Sequence, residues 1–133
     1  MIEFSVDTPA REILVDVTSQ VQEAVANMDV GSGVAQVFVL HTTAGITINE
    51  GADPSVARDV VTKLADLIPH HGDYRHGEGN SDAHIKTILT GNMVAVPVDE
   101  GRLVLGTWQA VFLAEFDGPR RRRVLVEVTP SLG

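Results

Sequence analysis

The fold class is decided by a short apolar run, VAQVFVL at residues 34–40, and by the residues that follow it. The run is rich in β-branched side chains and follows a Gly-Ser-Gly segment, a pattern typical of a buried β-strand. It leads into small and polar residues, HTTAG at 41–45, after which ITI at 46–48 resumes the strand pattern. We therefore predict a central strand and a second strand that meet near His41.

Strand patterns also occupy both ends of the chain. Alternating apolar residues at 2–6 and 13–17 predict two strands, and Thr8-Pro9 between them is typical of a hairpin turn. Further strands are predicted at 94–98, 103–105, 108–116 and 123–128.

Helices are predicted in three places. Ser19 and Gln22 fit a capping box, and Asp53-Pro54 has the cap residue and the first-turn proline of a helix start. A third, short helix begins at Ser81 or Asp82. With no repeat and no shift in composition, residues 1–133 are predicted to form a single α+β domain. Its core is a largely antiparallel, sandwich-like sheet with two to three helices.

Composition excludes several classes of protein. The chain of 133 residues has no cysteine, which rules out disulfides, a thiolate nucleophile and cysteine-ligated metals. No apolar run approaches the roughly 20 residues of a membrane helix, and the first residues do not resemble a secretory signal. We expect a cytoplasmic protein with no membrane partner.

The balance of charge bears on possible partners. Ten Lys and Arg against 18 Asp and Glu give a net charge of −8, which disfavours nucleic acid as a partner. Four of those cations form the run RRRR at 120–123. On a strand, alternation turns Arg121 and Arg123 to one side and Arg122 to the other. The run is either a solvated guard of a sheet edge or a clamp for a small phosphate, in which Arg123 is the candidate.

Three histidines are candidate metal ligands. His41 ends the central strand, His76 lies near the end of a polar loop, and His84 falls in the first turn of the next helix. Three imidazoles with open positions are typical of a catalytic metal site. The alternative for His41 is a hydrogen-bonded residue at a sheet edge. His70 and His71 are explained as solvated loop residues.

Other polar residues have two interpretations each. Asn80 is placed to fix the loop between the histidines. Glu50 is a base, an orienter of an imidazole, a ligand for a hard cation or simply a solvated carboxylate. Trp108, the only tryptophan, is a core or interface residue or the stacking wall of a pocket, with Gln109 beside it.

The order of these motifs resembles that of the YjbQ family of small proteins, also called UPF0047. The resemblance extends over nearly the whole chain. It is carried by VLHTTAGITINE at 39–50, Asp53-Pro54, YRH at 74–76, Gly79-Asn80, AHIK at 83–86, Pro97-Val98, GRL at 101–103, GTWQ at 106–109 and Arg122-Arg123.

The resemblance implies a trimeric α+β protein with a metal near clustered histidines at or close to subunit contacts. Some family members show thiamine phosphate synthase activity. By position, His41, His76 and His84 would bind a divalent metal, zinc or magnesium. The candidate catalytic residues are Glu50, Asn80 and Gln109, and the candidate substrate-binding residues are Thr42, Thr43, Asn49, Trp108 and Arg123.

The expected function is a metal-dependent enzyme that joins a pyrimidine-methyl diphosphate to a thiazole phosphate and releases pyrophosphate. The alternative is a metal-binding oligomer, a homotrimer by resemblance, that binds a small phosphorylated metabolite with only incidental catalysis. A third interpretation is a structural oligomer.

Many family members carry a second histidine two positions before the one matching His84. Asp82 stands there in this chain, and it would make a metal site that includes it richer in oxygen.

Overall fold

The computed structural model describes residues 1–132, and every strand pairing in it is antiparallel. A five-stranded sheet contains, in spatial order, β1 (Ile2–Asp7), β8 (Arg121–Pro130), β3 (Gly33–Val39), β5 (Met93–Asp99) and β6 (Arg102–Leu103). A three-stranded sheet contains β2 (Ile13–Asp16), β7 (Gln109–Glu115) and β4 (Ala44–Glu50). The helices are α1 (Thr18–Asn27), α2 (Pro54–Leu67) and α3 (Ser81–Thr90). The α+β prediction is confirmed.

The main core lies between the two sheets. It combines buried residues of β3 and β8 with residues of β4 and β7, and α1 closes it with Val21 and Val25. As the apolar run predicted, β3 is the central strand of its sheet. Burial of alternate β3 residues removes apolar surface from water, the dominant favourable term in folding.

A second core covers the other face of the three-stranded sheet. Phe112 and Phe116 pack there with Ala83 of α3 and partly buried residues of α2. Residues 110–115 of β7 are therefore buried on both faces, which explains why this stretch is almost continuously apolar.

The expected hairpin at Thr8-Pro9 is wrong. β1 pairs with β8 in one sheet, whereas β2 pairs with β7 in the other. The turn therefore carries the chain from one sheet to the other. Both strands have alternating patterns, but alternation does not specify the partner strand.

The two predicted helix caps have different outcomes. Asp53 caps α2 as predicted, because its carboxylate accepts from the backbone N–H of Ser55 at 2.9 Å. The capping box at Ser19 and Gln22 is wrong, since α1 begins after Val17 without a side-chain cap. Gln22 instead donates to the carbonyl of Gly101 at 3.0 Å and holds the turn before β6.

Helix α3 packs with its polar side inward. Ile88 and Leu89 are 80% and 62% exposed, whereas Asp82 and Lys86 are fully buried. This orientation is possible because charged residues from the segment before β2 meet the buried charges. Among residues 1–132, no helix is both long and apolar enough to cross a membrane.

Candidate functional site

His41 and His84 line a cleft of about 320 Å³ between the β3–β4 loop, the start of α3 and β8. Thr42, Thr43 and Asn80 also line this histidine cleft. The loop after β3 supplies one wall of the cleft, and Asn80 and His84 at the start of α3 supply another. Beside the cleft, β4 packs closely against the end of α3. Gly45 permits that packing, because a side chain there would collide with Thr90 and the backbone of Gly91.

The ring of His41 is already engaged within the chain. Its Nε2 accepts a hydrogen bond from the backbone N–H of Arg123 at 2.8 Å. Burial, followed by the positive charge of Arg122, holds the pKa of His41 below its ordinary value. The ring is therefore neutral with its proton on Nδ1, so that it presents a donor rather than a free metal-binding nitrogen.

His76 and His84 are neighbours. Their ring centroids lie 5.6 Å apart in an edge-on arrangement. Nε2 of His76 is 3.8 Å from the carboxylate of Glu78. However, the described residues 1–132 contain no group of three or more His, Cys, Asp or Glu side chains arranged to hold a metal ion. In this conformation the three predicted ligands form a pair and a separate third residue.

Asn80 contributes an unusual atom to the cleft. Its Nδ2 donates to the carboxylate of Asp117 at 2.8 Å. Its Oδ1 is buried and has no hydrogen-bond partner among residues 1–132. Buried polar atoms are nearly always paired, so an orphaned acceptor at a cleft is a candidate ligand contact.

A buried ion pair that the sequence interpretation missed lies behind the cleft. Arg122 is 2% exposed, and its Nε donates to Glu115 at 2.8 Å, while its Nη2 contacts the other oxygen of that carboxylate. Nη2 also donates to Oγ1 of Thr43 at 2.9 Å, which fixes the loop that bears His41. The detectable signal was a lone carboxylate, Glu115, in an apolar strand.

The ionised form of Glu115 is strongly favoured. Burial by itself raises the pKa of this carboxyl. Hydrogen bonds from Arg122, the backbone N–H of Asp117 and the hydroxyl of Thr8 outweigh burial and hold the pKa below its ordinary value. The pair is therefore charged at neutral pH.

The arginine run at 120–123 is matched by carboxylates throughout. Arg120 pairs with Asp117, Arg121 with Asp7, Arg122 with Glu115 and Arg123 with Glu3. Arg123, the predicted phosphate ligand, would have to leave Glu3, to which it donates at 2.8 and 3.0 Å. The run carries much less free positive charge than its sequence indicates.

The remaining predicted residues lie at the opposite end of the second sheet. Glu50 pairs in register with Gln109, whereas Ala44, close to His41, pairs with Glu115. At about 3.3 Å per residue, the two ends are separated by roughly 20 Å. Within one chain, this end and the histidine cleft do not form one pocket.

Side chains at this end already have structural contacts. Glu50 accepts from the backbone N–H of Asp53 at 3.0 Å, and Gln109 accepts from that of Gly106 at 2.8 Å. Asn49 accepts from the backbone N–H of Glu50. Trp108 is 63% exposed and is therefore not a core residue.

Asp82 belongs to a separate buried charge cluster. Its carboxylate accepts from Lys86 at 2.9 Å and from Arg11 at 3.1 Å, and Lys86 also contacts Glu12. Burial tends to raise the pKa of Asp82, but these two cations outweigh it and lower the pKa. Both carboxylate oxygens are occupied, so Asp82 does not enrich a metal site with oxygen.

The two histidines at the start of the loop, His70 and His71, fit a structural explanation. Nε2 of His70 lies 2.9 Å from the carbonyl oxygen of Gly79, and its ring stacks on that of His71 at 4.3 Å. The contact between His70 and Gly79 joins the two ends of the loop that carries His76.

Comparison with known proteins places the chain in a family. The model of the UPF0047 protein YjbQ-like family matches residues 2–131. A UPF0047 protein of Methanocaldococcus jannaschii is 48% identical over 96% of this chain and 93% of its own length. UPF0047 protein YugU of Bacillus subtilis is 41% identical over 94% and 96%.

Solved structures agree. A YjbQ/UPF0047 family protein of Clostridium acetobutylicum, 48% identical, superposes with a TM-score of 0.95 over 97% of this chain and all of that one. A conserved hypothetical protein of Thermus thermophilus, 47% identical, gives a TM-score of 0.91 with the same coverage. The chain belongs to the YjbQ-like UPF0047 family.

Proposed function

We propose that the chain is a metal-dependent enzyme of the thiamine phosphate synthase type and that the histidine cleft is its reaction site. The observation that carries the proposal is the convergence of His41, from the β3–β4 loop, with Asn80 and His84, from the start of α3, on one polar cleft. Thr42 and Thr43 add hydroxyl groups at its wall. Few polar groups at fixed positions in a concave site are typical of small-molecule binding.

A divalent metal, zinc or magnesium, is proposed at His76 and His84. Each of the two adjacent rings would supply one nitrogen ligand to the same ion, and open positions would remain for substrate oxygens. His41 fits a third position only if its ring turns away from the N–H of Arg123. When bound, the ion would stabilise the negative charge of the departing pyrophosphate.

The residues of the chain have distinct proposed roles. Nδ1–H of His41 donates a hydrogen bond to a substrate oxygen. Exposed Thr42 supplies a hydroxyl at the mouth of the cleft. Thr43 keeps its bond to Arg122 and so fixes the position of the loop.

The first experiment measures turnover of the two phosphorylated precursors with added zinc or magnesium. We expect His84→Ala to lower kcat at least about 100-fold, within the range for loss of a group acting in the reaction, and to reduce the bound metal measured by mass spectrometry. His71→Ala is the matched control. Metabolite binding without turnover in the unmodified protein would contradict the enzyme proposal and support the binding protein.

We also propose a homotrimer. Exposed Ile88, Leu89 and Met93 form an apolar surface on and beside α3, and such surfaces are typical of contact sites between chains. If Glu50, Trp108 and Gln109 act at the cleft, a neighbouring subunit must supply them, because they lie far from the cleft of their own chain.

Oligomeric state tests this surface directly. Ile88→Glu places a charge in the proposed contact, and we expect it to convert the trimer to a monomer in light scattering. Arg58→Glu on exposed α2 should leave the mass unchanged. A monomeric unmodified protein, or a trimer that survives Ile88→Glu, would contradict the proposed contact.

A further inference from the structure

The histidine cleft has an unused acceptor whose orientation is fixed. Oδ1 of Asn80 is buried and has no partner in the described part of the chain, residues 1–132. The amide does not gain by turning over, because its Nδ2 already donates to Asp117 at 2.8 Å, and an ionised carboxylate has no proton to give to Oδ1. The acceptor is therefore unsatisfied, and a ligand that carries a hydrogen would pair with it once the cleft opens at Asn80, because Oδ1 has almost no accessible surface.

The same cleft has an unused donor. Nε and Nη2 of Arg122 are taken by Glu115 and Thr43. Within residues 1–132, Nη1 has no hydrogen-bond partner, and it is not among the buried unpaired atoms. Nη1 therefore keeps a small accessible surface, and Arg122 is a lining residue of the cleft. The ion pair with Glu115 fixes its position before a ligand arrives, as good recognition requires.

Charge decides which ligand group suits this pair of atoms. Glu115 balances Arg122 and Asp117 balances Arg120, while Glu78 adds a carboxylate at the same cleft. Without the proposed metal ion, the side chains of the cleft have no excess of positive charge to hold a fully deprotonated anion. An oxyanion that retains a proton offers both an acceptor for Nη1 and a donor for Oδ1.

We propose that Arg122 and Asn80 together recognise the protonated phosphate group of a metabolite. Nη1 of Arg122 donates to an unprotonated oxygen, and Oδ1 of Asn80 accepts the hydrogen of the P–O–H group. The inference rests on the proposed role of the cleft and assigns phosphate binding to Arg122 rather than to Arg123. It requires the cleft to discriminate against sulfate, which carries no proton near neutral pH.

The test uses inorganic phosphate and sulfate as probes of the full chain, titrated by NMR at constant ionic strength. We expect phosphate to bind at least about tenfold more tightly, the ratio for one unpaired buried hydrogen bond. Asn80→Leu should abolish the preference, and Arg121→Gln should leave it unchanged. In the unmodified protein, phosphate should shift the guanidinium signal of Arg122.

Three results would overturn the inference: no difference between the anions, a preference that survives Asn80→Leu, or an Arg122 signal that phosphate does not move. The last measurement does not depend on a variant that folds. Phosphate preference without turnover would contradict only the proposed enzyme function. Turnover without the preference would contradict only the assignment of Arg122 and Asn80.

Discussion

Glu115→Gln is expected to lower the free energy of unfolding by about 3 kcal/mol, measured by urea denaturation at neutral pH. Glutamine keeps the shape of the side chain but removes its charge. Arg122, which is 2% exposed, would then be a buried cation without a counter-charge. Because domains are stable by only about 5–15 kcal/mol, this loss is a large part of the total.

A matched control isolates the effect of burial. Glu127→Gln makes the same change at an outward-facing position of β8, where the carboxylate is 54% exposed and pairs with the N-terminus. We expect a change within about 0.5 kcal/mol there. Adding Arg122→Met to Glu115→Gln should recover part of the loss, because it removes the uncompensated charge. Equal losses of unfolding free energy in Glu115→Gln and Glu127→Gln would contradict a stabilising role for the buried Arg122–Glu115 ion pair.

Lys86→Met should also destabilise the fold by about 3 kcal/mol, again by urea denaturation. Methionine has a similar length, so the loss reflects charge more than volume. Asp82 is fully buried and would retain only Arg11 as a cationic partner. Because the pair lies on the inner side of α3, the helix that carries His84 should lose protection from hydrogen exchange as well.

The same substitution at Lys63, on the exposed side of α2, is the control for Lys86. We expect less than about 0.5 kcal/mol at Lys63. Restoring neutrality with Asp82→Asn in the Lys86→Met background should regain part of the stability. A Lys86→Met protein as stable as the Lys63 variant would mean that solvent reaches Asp82, contrary to its complete burial.

Local patterns in the sequence predicted the elements better than their partners. The apolar run before His41 indicated a central strand, and Asp53-Pro54 indicated the start of α2. The hairpin at Thr8-Pro9 failed because alternation indicates which face is buried but not which strand pairs. The apolar residues of α3 are on its exposed side because its inward charges are matched by Arg11 and Glu12, which are distant in sequence.

The candidate site shows the same division. Local sequence singled out His41, His84 and Asn80, and the structure brings them to one cleft. The local sequence also singled out Glu50 and Gln109, which lie at the far end of the β4–β7 strand pair. Motifs identify residues, but the register of strands determines the distances between them.

The sequence by itself determined the α+β class, the central strand, the absence of thiolate chemistry and the histidines worth considering. These follow from the periodicity of apolar side chains and from the chemistry of the residue types present. Only the tertiary structure decided that the arginine run is neutralised, that Arg122 rather than Arg123 reaches the cleft, and that α3 buries its charges. The physical reason is that a side chain's charge and exposure depend on partners far away in the sequence, such as Arg11 and Asp82, which are 71 residues apart.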